Sequence, residues 1–131
     1  MTLVTASWLE EPHIAQMTLQ GAFRLDDITD GWQAVGALHA THPAHPFCLL
    51  VIIMPNRELP VGLLSLAQHP ATAVFREIDA VAVIGMDHFL IGMLGEMIAG
   101  LPYGPQMRTF ETYNDGLRYL HQYINAAQAG L

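Results

Sequence analysis

The chain contains no lysine, and all five of its basic residues are arginines. Charged residues of both signs fill only 13% of the 131 positions, about half the ~25% of an ordinary soluble domain. Twelve of them are acidic, so the net charge is −7 at neutral pH. A chain this poor in cations is not built to wrap nucleic acid or an anionic membrane. The missing lysine also removes the phosphate-binding G-x-x-x-x-G-K-[ST] loop, and neither G-x-G-x-x-G nor G-x-S-x-G occurs. There is one cysteine, Cys48, which rules out an internal disulfide. It lies within an apolar run, so it reads as a packed core residue of a protein in a reducing cytoplasm. The opening Met1-Thr2-Leu3-Val4 has no basic region or cleavage pattern, so no signal peptide is expected.

What is present is apolar: hydrophobic residues make up 52% of the chain, enough for one core in one domain over residues 1–131. The chain is organised around residues 47–100. Phe47-Cys48-Leu49-Leu50-Val51-Ile52-Ile53-Met54 and Ala80-Val81-Ala82-Val83-Ile84 are continuous apolar runs, the pattern of strands buried on both faces. Residues 55–60 read as a turn, a short helix runs from Pro60 through Leu66, and Pro70 marks its end. Asp87 opens a second helix that closes at Gly100 and Pro102. Residues 80–101 are apolar enough to raise a membrane span, but Asp87, His88 and Glu96 interrupt them, so no span is expected.

The flanks follow the same logic. Residues 2–9 and 13–23 carry β-formers and loosely alternating apolar points around Glu10-Glu11-Pro12, the signal of a hairpin. Asp26-Asp27 can cap a helix with Ile28, Trp32, Val35 and Leu38 at helical spacing, stopped by His42 before Pro43. Residues 107–111 make a last strand. Thr112 and Asp115 have capping-box spacing before a helix with Leu117, Leu120, Ile124 and Ala127 on one side, its tail frayed from residue 126. The order ββαβαβαβα predicts one α/β domain with a mostly parallel sheet and an antiparallel N-terminal edge hairpin.

Three strings carry a resemblance: Trp8-Leu9-Glu10-Glu11-Pro12-His13-Ile14, the run from Phe75-Arg76-Glu77-Ile78-Asp79 through Gly85, and Arg108-Thr109-Phe110-Glu111-Thr112 with Asp115, Leu117 and Leu120. In this order and spacing the chain resembles the SpoIIAA-like family of STAS-type domains over nearly its whole length. The resemblance implies a singly wound βα superhelix and a non-catalytic regulatory or protein-binding module. In anti-anti-sigma members a serine at the start of the second helix is phosphorylated, and the added charge blocks the partner. The matching loop here, Asn56-Arg57-Glu58-Leu59-Pro60, has no hydroxyl, so that switch is not expected. Related folds also hold apolar, lipid-like ligands beside the sheet, which makes a carrier or sensor the alternative function.

Candidate sites are few. Asn56, Arg57, Glu58 and Leu59 sit at the carboxyl end of a buried strand, the usual binding edge of an open α/β sheet, and Tyr103, between two prolines and near Gly104, is a partner contact or a loop anchor. Asp87-His88 has no nucleophile beside it, so no catalytic residue is assigned. His39, His42 and His45 invite a metal reading. Pro43 keeps them off one helical face and no carboxylate or cysteine adjoins them in sequence, so they read as solvated residues at a helix end, with no cofactor or metal requirement. The helix from Asp87 offers Ile91, Gly92 and Gly95 as a surface for self-association, because its apolar residues surround more than one side. Light scattering at micromolar concentration is expected to give at least a dimer mass, and Ile91→Glu to lower it; a wild-type monomer would refute the expectation.

Overall fold

The polar turn after Glu10 folds the N-terminal β-formers back on themselves. β1 (Val4–Glu10) pairs antiparallel with β2 (Ile14–Leu19), with an irregularity between Trp8 and Glu10. In the computed structural model, residues 4–21, 23–54, 62–85, 88–101 and 104–130 are described, with positions 63, 64, 88–91, 93 and 94 described by backbone alone. α1 (Leu25–Thr41) follows. Its cap differs from the expected Asp26-Asp27 start. Arg24 occupies the N-cap, and its N–H donates to Asp27 Oδ2 at 2.7 Å, so the acid reaches back from inside the first turn. The helix ends before Pro43 as the sequence predicts.

β3 (Cys48–Ile53) and β4 (Ala80–Ile84) are the two apolar runs, paired in parallel from Cys48 opposite Ala80 to Ile52 opposite Ile84. Between them the structure departs from the expected α-helix. Gly62 takes a left-handed φ of 80°, and two 3-10 helices follow, Leu63–Gln68 and Pro70–Arg76. Pro70 begins the second of these as well as closing the first. His69 accepts the Ala71 N–H on Nδ1 at 3.0 Å, which caps the new turn. Proline so soon after the first start leaves no room for a regular α-helix.

α2 (His88–Ala99), β5 (Gln106–Phe110) and α3 (Tyr113–Ala129) complete the chain. Thr112 Oγ1 accepts the Asp115 N–H at 3.2 Å, the predicted cap of α3. The helix continues to Ala129, where fraying from residue 126 was expected. The sheet order is β1-β2-β3-β4-β5, with every pair after the hairpin parallel. Among the described residues no helix is long and apolar enough to cross a membrane.

Each strand presents alternate residues to opposite faces. On one face Met17, Leu19, Leu49, Val51, Val81 and Val83 pack under α1, the 3-10 helices and α2, through Ile28, Trp32, Val35, Leu66, Phe75, Met97 and Ile98. On the other, Ile14, Cys48, Leu50, Ala80, Ala82 and Ile84 pack against α3 through Leu120 and Ile124. A sheet with one sequential strand order and all its crossovers on one face is singly wound. Gly116 brings α3 close to the sheet: a Cβ there would lie 3.0 Å from Ile84 Cδ1 and 3.4 Å from Leu50 Cδ1. Beyond Leu9 and Ile14 near its turn, the hairpin's share of this second face is polar, with Thr5 and Ser7 exposed and Gln16 and Thr18 half-buried.

Leu120 is fully buried and holds α3 to the sheet. Leu120→Ala is expected to cost about 2–5 kcal/mol, seen as a lower urea midpoint, because it leaves a cavity that a rigid strand pair cannot fill. A change under about 0.5 kcal/mol would show that α3 is only loosely docked.

Candidate functional site

The parallel strands start together at one edge of the sheet, and this edge collects the titratable residues. The β1–β2 turn brings Glu10, Glu11 and His13. The end of α1 and the loop into β3 bring His39, His42 and His45. The approach to β4 brings Glu77 and Asp79, and α3 brings His121. Backbone bonds fix the layout: the Cys48 N–H donates to His13 O and the Asp79 N–H to Phe47 O, each at 2.7 Å. Both cis peptide bonds of the described residues, Glu11-Pro12 and His45-Pro46, lie here too.

The histidines pair with acids and carbonyls. His42 Nδ1 lies 3.0 Å from Glu11 Oε1, and His121 Nε2 lies 2.6 Å from Glu10 Oε2. His13 Nδ1–H donates to Pro46 O at 2.6 Å. His45 Nδ1–H donates to Asp79 Oδ2 at 2.9 Å, and the same oxygen accepts the Phe47 N–H at 2.8 Å. His39 is only 8% exposed. Its ring stacks on Phe47 at 4.4 Å and meets His45 edge-on at 5.3 Å. Its Nε2–H donates to Ala44 O at 3.2 Å, and its Nδ1 faces Glu77 Oε2 at 3.8 Å.

This arrangement corrects the reading of His39 as a solvated residue, since it is buried; His42 and His45 are more than half exposed, as expected, but both pair with carboxylates. His42 separates from the other two and pairs across to the β1–β2 turn. His39 and His45 converge on two acids. Pro43 does keep them off one helical face, but the loop it starts turns His45 back beside His39. The carboxylates absent from the local sequence arrive from the strand next door. The signal that could have found them is Glu77-Ile78-Asp79, two acids one strand-step apart just before a buried run.

No protein-family model matches this chain, and no curated protein does either.

The residues read from the sequence as partner contacts, Asn56, Arg57, Glu58, Leu59 and Tyr103, lie outside the described residues, as does Asp87. The side chain of Ile91 is outside them as well. A Cβ at Gly92 would meet open space, whereas one at Gly95 would lie 3.2 Å from Met107 Cε on β5 of the same chain. Gly95 is thus placed by the packing of α2 on its own sheet.

Concave features elsewhere among the described residues include a cavity and a groove. An apolar cavity of about 30 Å³ sits under α1, lined by residues including Trp32, Leu49, Phe75, Val83 and Met97. A shallow groove beside α3 runs over Arg108, Phe110, Asp115, Arg118, Tyr119 and Gln122. The Arg108 guanidinium stands 5.5 Å over the Tyr119 ring and 5.7 Å over that of Phe110. The Tyr119 hydroxyl oxygen is buried without a hydrogen-bond partner, and desolvation pushes its pKa above the ordinary tyrosine value.

Cys48 lies just inside the histidine edge. Burial, with a smaller contribution from the Asp79 charge, pushes its thiol up to about 12, against a hydrogen bond from Ala80 that favours the thiolate. The thiol therefore stays neutral and is no nucleophile at physiological pH. A raised pKa in the folded state stabilises the fold fully below the unfolded thiol's pKa and is lost as pH climbs through the interval up to about 12. Tyr119 and Tyr123 are also raised and act in the same direction. The urea midpoint is expected to fall from pH 9 upward, and to fall less steeply in Cys48→Ala; equal slopes would contradict the burial of the thiol.

Proposed function

We propose that the chain is a non-catalytic regulatory or protein-binding module of the STAS, anti-anti-sigma type, working in the cytoplasm and lacking a switch serine. The observation that carries this reading is the sheet order. A hairpin at the edge, then β2 to β5 in parallel with every crossover on one face, is the architecture that the resemblance implies. The partner is a protein, met at the carboxyl edge of the strands by Asn56, Arg57, Glu58, Leu59 and Tyr103. Self-association through α2, using Ile91 and Gly92, hides the apolar excess, Gly95 being turned to its own sheet.

The single thiol is buried and held neutral, which supports a module without chemistry. The competing reading is a carrier of an apolar ligand beside the sheet. The cavity there has the right lining, but at about 30 Å³ it falls far below the ~300–1,000 Å³ of ordinary ligand pockets.

Native mass spectrometry of protein purified from its own cells is the test. Masses equal to whole multiples of the 14.4 kDa chain, alone or with a protein partner, are expected, with no small molecule retained. A retained mass of lipid size would overturn the reading in favour of the carrier.

A further inference from the structure

The hydrogen bonds at the histidine edge decide which ring nitrogens are free. A carbonyl oxygen only accepts, so His39 Nε2 must carry the proton in its bond to Ala44 O. In the neutral ring this leaves the lone pair on His39 Nδ1. A carboxylate likewise only accepts, so His45 Nδ1 carries the proton toward Asp79, leaving the lone pair on Nε2. Both free atoms face one oxygen, Glu77 Oε2, at 3.8 Å for His39 Nδ1 and 4.0 Å for His45 Nε2. Neither distance is a hydrogen bond. Two lone pairs and a carboxylate thus converge without satisfying one another, and the three donor atoms lie within 4.8 Å.

We propose that His39, His45 and Glu77 bind a divalent transition-metal ion of the zinc class. Donors around a tetrahedral zinc at ~2.0–2.1 Å stand about 3.4 Å apart, so the side chains need close by only an ångström or so. Their exposure is suited to that. The His39 side chain is 10% exposed, whereas those of His45 and Glu77 are 56% and 52% exposed and can swing onto the ion. Two imidazoles with one carboxylate select zinc and its neighbours over magnesium or calcium, which prefer all-oxygen sets.

The surroundings match what a metal-binding imidazole requires. Its second N–H goes to a carbonyl or carboxylate, which fixes the tautomer and the ring's direction. Ala44 O does this for His39 and Asp79 for His45, and Asp79 is itself held by the Phe47 N–H. Stacking on Phe47 sets the plane of the His39 ring. Three protein donors leave a fourth position open toward solvent, the count found where a metal takes water or an incoming ligand. The ion would tie the end of α1 to the approach into β4.

The test uses tag-free protein titrated with zinc chloride in a calorimeter. One ion per chain with micromolar or tighter affinity is expected, together with a raised Tm in the presence of zinc. His45→Ala and Glu77→Gln, both at half-exposed positions, should abolish the saturable binding while leaving the zinc-free Tm near wild type. Asp79→Asn should weaken it about 10–100-fold by releasing the His45 tautomer. His42→Ala should leave it unchanged, since His42 pairs with Glu11 instead. Absence of saturable binding in the wild type would overturn the proposal. So would undiminished binding in a His45→Ala, Glu77→Gln double variant, which would show that the ion sits elsewhere.

Discussion

Burial of β3 and β4 on both faces is the constraint from which the rest of this structure follows. Every residue of β4 is buried, and in β3 Ile52 alone is less than fully so. Each large side chain among them gains about 1.5–3 kcal/mol from leaving water, but only if something covers it. One face needs α1, the 3-10 helices and α2; the other needs α3. The hairpin lies outside this requirement on one side, and its sequence says so, with Thr5, Ser7, Gln16 and Thr18 where cover is absent.

The same constraint places the histidine edge. Parallel strands of matched register begin side by side, so the segments that lead into them must also meet. Residues 42–47 and 76–79 lead into adjacent strands. Their polar groups converge wherever the sequence happens to carry them: His45 meets Glu77 and Asp79 here, and the end of α1 adds His39. Phe47 is the hinge between core and edge: it is fully buried, packs edge-on against Trp8, stacks on His39 and donates its N–H to Asp79. A residue of the apolar interior thereby orients the polar rim.

Much of the fold could be read from periodicity. The two apolar runs, the break at Pro43 and the Thr112 cap are local signals, and local signals survive into the structure. The 3-10 helices were less legible, because Pro70 read as a terminator and its second role as a starter depends on His69 folding back to Ala71. The candidate site was legible only in part. The histidines stand out within seven residues of sequence, but Asp79 is 34 residues from its partner His45. No spacing rule spans a strand and two 3-10 helices. The buried state of His39 is likewise a product of tertiary packing, since its place in the last turn of α1 suggested only an interaction with the helix end.

The order of the elements also bears on how the protein comes to exist. The crossovers that cover the first face are threaded between the strands, so each new strand emerges from the ribosome with its cover already made. The second face has no such provision. Ile14, Cys48, Leu50, Ala80, Ala82 and Ile84 all precede α3, their only cover among the described elements, which comes after the last strand. Until α3 is in place these side chains have no cover, the condition under which nascent chains stick to one another or to chaperones. Two of the residues on that side, Ala80 and Ala82 of β4, are small, which limits how much apolar area is on offer while it lasts.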